Sequence, residues 1–325
     1  MAFIEERRVR ANGVDFFVAE AGDRRAPLLL CLHGFPECWA SWRFQLPLLA
    51  ESGYHAVAID LRGYGFSEGP AGVDDCRLSV LRADVLALLA ALGKERAVLL
   101  GHGLGADIAW QLACYHPQQV VALVALSHPW GGVSKLAPSE EIARLFGDRF
   151  FYMRYFQQPQ LPEQELEADV DDSLRRLFHG LCAEGQAQIA IDPQQTRLLS
   201  GLPRPQSQPR WMREEDLAYY VARFQQRGFS GALNGYRAMD LSWQEAQADG
   251  IGPVSVPALF IGGLQDPVLQ YYQPAMMRMS DWVADLSTVL LDQCGHWPHL
   301  EQAAEVNREL LSFLQALPGE KQAAS

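Results

Sequence analysis

The run Gly101-His102-Gly103-Leu104-Gly105-Ala106 directly follows an apolar stretch with strand character and opens one with helical spacing. Small residues at 101 and 105 suit a sharp strand-to-helix turn, where two backbones approach too closely for side chains. The middle residue, Gly103, carries no nucleophile. Downstream, Asp266 before Pro267 and His296 in Cys294-Gly295-His296-Trp297-Pro298-His299 offer a carboxylate and an imidazole, the types that together make a general base. Asp266 also suits a cap for a helix starting at Pro267. Two other chemistries fail on the same residues. Cys294, His296 and His299 are metal-ligand types, but they share one turn and lack a fourth ligand, so no metal site is expected. The spacing Gly101-x-Gly103-x-x-Ala106 matches a dinucleotide fingerprint, yet the next strand ends without the acid that would hold a ribose, so no cofactor is expected.

Holding these residues requires a sheet. Residues 27–33, 55–59, 97–100 and 120–126 read as strands buried on both faces, separated by helical patterns at 78–92 and 104–115. Strand rhythm returns at 256–261 and 286–291, and residues 302–314 read as a closing helix. That alternation predicts an α/β fold, a mostly parallel sheet flanked by helices. Between residues 130 and 251 the texture is helical, charged and rich in Gln and aromatics. We expect residues 1–129 and 252–325 to form the sheet core. Residues 130–251 are then a helical cap, inserted after the sixth strand and covering the carboxyl ends of the strands.

The turn around Gly103 resembles the nucleophile elbow of α/β hydrolases, and three other segments fit that fold in the expected chain order. His33-Gly34-Phe35-Pro36 looks like the oxyanion loop, in which the backbone N–H groups of Phe35 and Leu104 would stabilise negative charge. Asp266 stands where the family's acid sits, and His296 where its base sits. At finer grain the chain is similar to epoxide hydrolases over essentially its whole length. The stretches HGFPECWASWRFQ at 33–45 and DLRGYGFS at 60–67 look like that family's early motifs. Tyr152 within YMRYFQ and Tyr236 within LNGYR match its two cap tyrosines, which hold and protonate the epoxide oxygen. Phe35 and Leu104 point away from haloalkane dehalogenases. GHGLGA is one residue from the GHSLGA of serine esterases. Beside these motifs, His33, Pro36 and Trp297 are expected to contact substrate, as is His128, just past a strand end. Three residues depart from the pattern: the family has an aspartate in place of Gly103 and commonly tryptophan in place of Leu104 and Gly235.

The implied activity is opening of an epoxide to a vicinal diol. An aspartate at 103 would attack carbon, the two phenols would stabilise the alkoxide, and water activated by His296 and Asp266 would cleave the ester. With Gly103 the covalent step lacks its attacking atom, so the chain as given is expected to be inactive or strongly impaired. Two alternatives remain open: binding of a small apolar ligand without turnover, and use of His296 with Asp266 as a base for water activation or another non-covalent reaction.

Composition narrows the partners. Lys plus Arg 27 against Asp plus Glu 39 gives a net charge of −12, which repels a phosphate backbone, so no nucleic acid is expected. No apolar run is long enough to span a membrane, and the amino-terminal MAFIEERRVR lacks a signal-like apolar stretch. Six cysteines without a C-x-x-C pair suit reduced thiols, so a cytoplasmic location is expected. The partner that remains is a small, apolar epoxide.

Overall fold

The structure, a computed structural model, describes residues 3–185 and 195–318; the tail expected to fray after Pro318 lies outside the described residues. Eight strands form one sheet: β1 (Glu5–Ala11), β2 (Val14–Ala21), β3 (Leu28–Leu32), β4 (His55–Ile59), β5 (Ala97–His102), β6 (Val120–Leu126), β7 (Ala258–Gly263) and β8 (Leu286–Leu291). Their order across the sheet is β1-β2-β4-β3-β5-β6-β7-β8. From β3 to β8 every pairing is parallel, while β1 and β2 run antiparallel at one edge. Every residue of β3, β4, β5 and β7 is buried, as apolar runs covered by helices on both faces must be.

Two of the differences from the sequence reading have a local cause. The β1–β2 hairpin was not anticipated, although Asn12 and Gly13 between the strands both take positive φ, which is the turn chemistry of a tight hairpin. Strand β7 starts two residues later than expected, because Pro257 has no N–H for the ladder and contributes only its carbonyl, to the Leu123 N–H.

Ten helices matter for the site. Three belong to the sheet layers: α1 (Leu46–Glu51), α2 (Leu78–Ala91) and α3 (Leu104–Tyr115). Among the described residues, seven lie between β6 and β7: α4 (Pro138–Phe146), α5 (Tyr152–Phe156), α6 (Leu161–Ala168), α7 (Val170–Leu181), α8 (Glu214–Arg227), α9 (Ser230–Arg237) and α10 (Met239–Asp249). The helix Ala303–Ala316 closes the chain. Polar contacts tie this helical segment to loops at the sheet's carboxyl end. The Trp39 indole donates to the Tyr219 hydroxyl (2.7 Å), the Ser41 and Tyr220 hydroxyls share a proton (2.8 Å), and the Tyr64 hydroxyl donates to the Ala232 carbonyl (3.3 Å). Among the described residues, no helix is long and apolar enough to cross a membrane.

Candidate active site

In-register pairing aligns His102 with Leu126 and Leu126 with Ile261, so the loops carrying Gly103, His128 and Asp266 leave the sheet side by side. Gly103 sits between β5 and α3 at φ 52° and ψ −118°, a conformation that L side chains rarely adopt. The turn is tight because α3 packs directly on the sheet: a Cβ at Gly105 would lie 2.0 Å from the Leu32 carbonyl oxygen, and one at Gly101 would lie 2.4 Å from that of Gly105. At Gly103 itself a Cβ would meet only the Gly34 Cα, at 3.6 Å. The Gly103 carbonyl accepts the N–H groups of Ala106 (3.0 Å) and Asp107 (3.1 Å), which starts the helix.

His296 is nine-tenths buried, and its Nδ1 stands 3.0 Å from Asp266 Oδ2. The other Asp266 oxygen accepts the Val268 N–H (2.8 Å), so the residue caps a helix and holds the imidazole at once. The His296 backbone is held as firmly. Its N–H donates to the Leu181 carbonyl at the end of α7 (2.9 Å), and its carbonyl accepts from His102 Nε2 (2.8 Å) and the Ser127 hydroxyl (3.0 Å). Glu301 accepts the N–H groups of Ala183 (3.0 Å), Gly295 (2.9 Å) and Trp297 (2.9 Å), stitching the His296 loop to the helical segment.

Beneath the site lies a fully buried carboxylate, Glu37, that sequence reasoning did not single out. One of its oxygens meets His102 Nδ1 at 2.5 Å and accepts the Gly34 N–H (2.8 Å); the other accepts from His299 Nε2 (3.0 Å). Burial opposes its ionisation, but the two imidazoles outweigh that and hold the carboxyl well below the usual range. His102 Nε2 must donate to a carbonyl, so its Nδ1 shares a second proton with Glu37. Burial disfavours that cation, yet Glu37 raises the His102 pKa. His299 is lowered to about 4 by burial and stays neutral. The network joins the Gly34 loop, strand β5 and the His296 backbone. Its only sequence signal is three polar residues in otherwise apolar surroundings.

Three adjoining cavities open at this point. An apolar arm is lined by Phe35, Phe150, Phe156, Leu177, Leu181 and Leu198, and it reaches Tyr152, Tyr236 and His296. The central cavity, of about 1060 Å³ including space open to solvent, brings Gly103, Phe35, Leu104, His128, Tyr152, Tyr236 and His296 to one surface. Leu104 and Gly235 line the central cavity and also a third arm that runs toward Trp130, Trp243 and Arg278. A Cβ at Gly235 would stand 3.3 Å from Leu104 Cδ2, so both departures from the family pattern open the same passage.

The rings of Tyr152 and Tyr236 meet edge to face with centroids 6.0 Å apart, and the Phe35 ring lies 5.6 Å from that of Tyr236. Burial pushes both phenols up, so both remain protonated donors. His128 Nε2 stands 3.1 Å from Asp107 Oδ1, a second imidazole–carboxylate pair on the same wall. Asp107 was not anticipated; an acid in the first turn of α3 was its only signal.

Three expectations need correction. His33, Pro36 and Trp297 line none of these cavities. The His33 ring accepts the Leu61 N–H (3.0 Å) from within the core, Pro36 is buried, and the Trp297 indole, packed edge to face on His296, donates to the Phe178 carbonyl (3.1 Å).

Residues 27–303 match the family described as alpha/beta hydrolase fold. The chain is 39% identical over 321 residues to epoxide hydrolase A of Mycobacterium tuberculosis, covering 96% of this chain and 98% of that protein. Among solved structures, epoxide hydrolase A from Mycobacterium thermoresistibile superposes with a TM-score of 0.92 at 38% identity, covering 97% and 99% of the two chains. An epoxide hydrolase from an endophytic Streptomyces gives 0.90 at 37% identity, covering 97% and 96%.

Proposed function

Since the chain belongs to the epoxide hydrolase family of the α/β-hydrolase fold, we propose that its cavity binds a small apolar epoxide and carries the apparatus for opening it to a diol, short of the covalent nucleophile. One observation carries this reading: Tyr152, Tyr236 and His296 face the same cavity as Gly103.

The chemistry follows from the residues. The epoxide oxygen takes hydrogen bonds from the two phenols, which burial keeps protonated, so charge developing on that oxygen meets donors already in place. The phenyl and leucyl arm accepts the apolar substituent. His296, oriented by Asp266, removes a proton from water. In covalent hydrolysis that water would cleave an ester on residue 103. The Gly103 chain has no ester to cleave, and covalent turnover is lost. Residues 130–251 serve as the cap that supplies the tyrosines and keeps bulk water off the reacting carbon.

A second reading is favoured by the intact His296–Asp266 pair: water activated there attacks the epoxide carbon directly. Diol formation from a panel of aryl and alkyl epoxides tests both, using the chain as given, Gly103→Asp and His296→Ala. On the covalent reading Gly103→Asp exceeds the parent by at least about 10³-fold, as removing a catalytic nucleophile typically costs that or more. Parent turnover that disappears in His296→Ala supports direct water attack. Inactivity of all three proteins refutes both.

A further inference from the structure

Gly103 borders the central cavity beside Phe35 and Leu104, and several donors of that wall have no acceptor among the described residues. A Cβ would touch only Gly34 Cα there, at 3.6 Å, which leaves room for a small group. Neither the Phe35 nor the Leu104 N–H has a hydrogen-bond partner among the described residues. Leu104 opens the twelve-residue helix α3, whose first N–H groups and dipole favour an anion. Independently, His296 is 8% exposed on the wall of the same cavity, with Nδ1 engaged by Asp266 and Nε2 without a partner among the described residues. The protonated phenols of Tyr152 and Tyr236 add two more donors.

Resting on the epoxide reading above, we infer that this seat binds the carboxylate of a small free acid, such as formate or acetate, and that the bound carboxylate opens the epoxide in place of the side chain Gly103 lacks. A planar carboxylate offers two acceptor oxygens to the paired N–H groups, and charge-assisted bonds of this kind are the strong ones. One carboxylate oxygen forms a bond to an epoxide carbon, the ring C–O bond breaks, and the ring oxygen takes the proton of Tyr152 or Tyr236. The product is a 2-hydroxyalkyl ester. Water deprotonated by His296 then adds to the ester carbonyl. The bond between acyl carbon and alkyl oxygen breaks, and the diol leaves with the proton from His296. The free acid returns its proton to the tyrosinate through solvent. The carboxylate is regenerated, and without the second step the activity is hydroxy-ester synthesis.

The experiment supplies the chain as given with an aryl epoxide and increasing sodium formate, with ionic strength held by sodium chloride. Expected is a saturating rise in diol plus ester of at least about tenfold, equivalent to about 1.4 kcal/mol of barrier. Formate labelled with oxygen-18 in both positions must leave one labelled oxygen in the diol, since acyl cleavage keeps the attacking oxygen on carbon. Broadening of the carbon-13 formate resonance reads binding without turnover, and Gly103→Asp, whose own carboxylate takes the seat and whose melting curve reports its folding, should abolish it. A formate-independent rate, unlabelled diol, or broadening that persists in Gly103→Asp overturns the inference. If Gly103→Asp opens the epoxide while the parent ignores formate, this inference fails and the family reading stands. If neither acts on the epoxide, both fall.

Discussion

The backbone at Gly103 makes a prediction about stability that involves no substrate. Replacing Gly103 by Ala adds only a Cβ, and that atom meets nothing closer than 3.6 Å, so crowding contributes little. What remains is conformational. Holding a non-glycine residue at φ 52° and ψ −118° costs about 1–3 kcal/mol. Stiffening the unfolded chain returns about 0.4–1 kcal/mol, leaving a net loss of roughly 1–2 kcal/mol. With about 2.1 cal/mol/K per residue, the 325-residue chain has an unfolding entropy of about 0.7 kcal/mol/K, so Tm should fall by roughly 1.5–3 °C. Gly252 provides the matched control: it is outside the positive-φ region and a Cβ there meets nothing within 4 Å. Gly252→Ala should therefore raise Tm by roughly 1 °C through the unfolded state alone. Gly103→Asp should also melt below the parent, by less than the alanine variant, because its carboxylate can accept the Phe35 and Leu104 N–H groups. Differential scanning calorimetry of the four proteins decides. If the two alanine substitutions shift Tm in the same direction, strain at the elbow is not what distinguishes residue 103.

Other outcomes follow from the surrounding structure. Asp84 holds the buried Arg62 through contacts of 2.6 and 2.8 Å, so Asp84→Ala, which strands that guanidinium, should cost about 3–5 kcal/mol and lower Tm by roughly 4–7 °C; a fall below about 2 °C would show the pair to be dispensable. Glu37 has a folded pKa below its unfolded 4.5, so its stabilisation is present above that pH and is lost as pH falls, at up to about 1.4 kcal/mol per pH unit. His102 has a folded pKa above its unfolded 6.5, so its share is present below 6.5 and fades as pH rises through the folded value. Denaturation of Glu37→Gln across pH should flatten both limbs, and unchanged limbs would remove the network from the acid stability of the fold. Gly235→Trp, placed against Leu104, should close the third arm and lower kcat/KM for bulky epoxides about tenfold in the Gly103→Asp background, while sparing short ones; an equal loss for both would mean the arm is not used.

What could be read from the sequence is what depends on local order along the chain. The buried strands announce themselves as uninterrupted apolar runs, the turn at Gly103 by glycines where backbones nearly touch, and the acid and base by their places after the last two strands. The third family departure, Gly235, was visible as a residue type, but its contact with Leu104 was not. Glu37, His102 and His299 are separated by up to 262 residues and meet only because β3, β5 and the loop after β8 end at the same edge of one sheet. No periodicity encodes that meeting. His33 and Trp297 carry side chains as suggestive as that of His296, and only packing decided that they point into the core while His296 faces the cavity. Asp107 and His128 became a pair because α3 starts beside the end of β6. Residue types and their order along the chain determine which chemistry is available, whereas the direction of each side chain depends on burial energies summed over neighbours far away in sequence, which only the folded chain resolves.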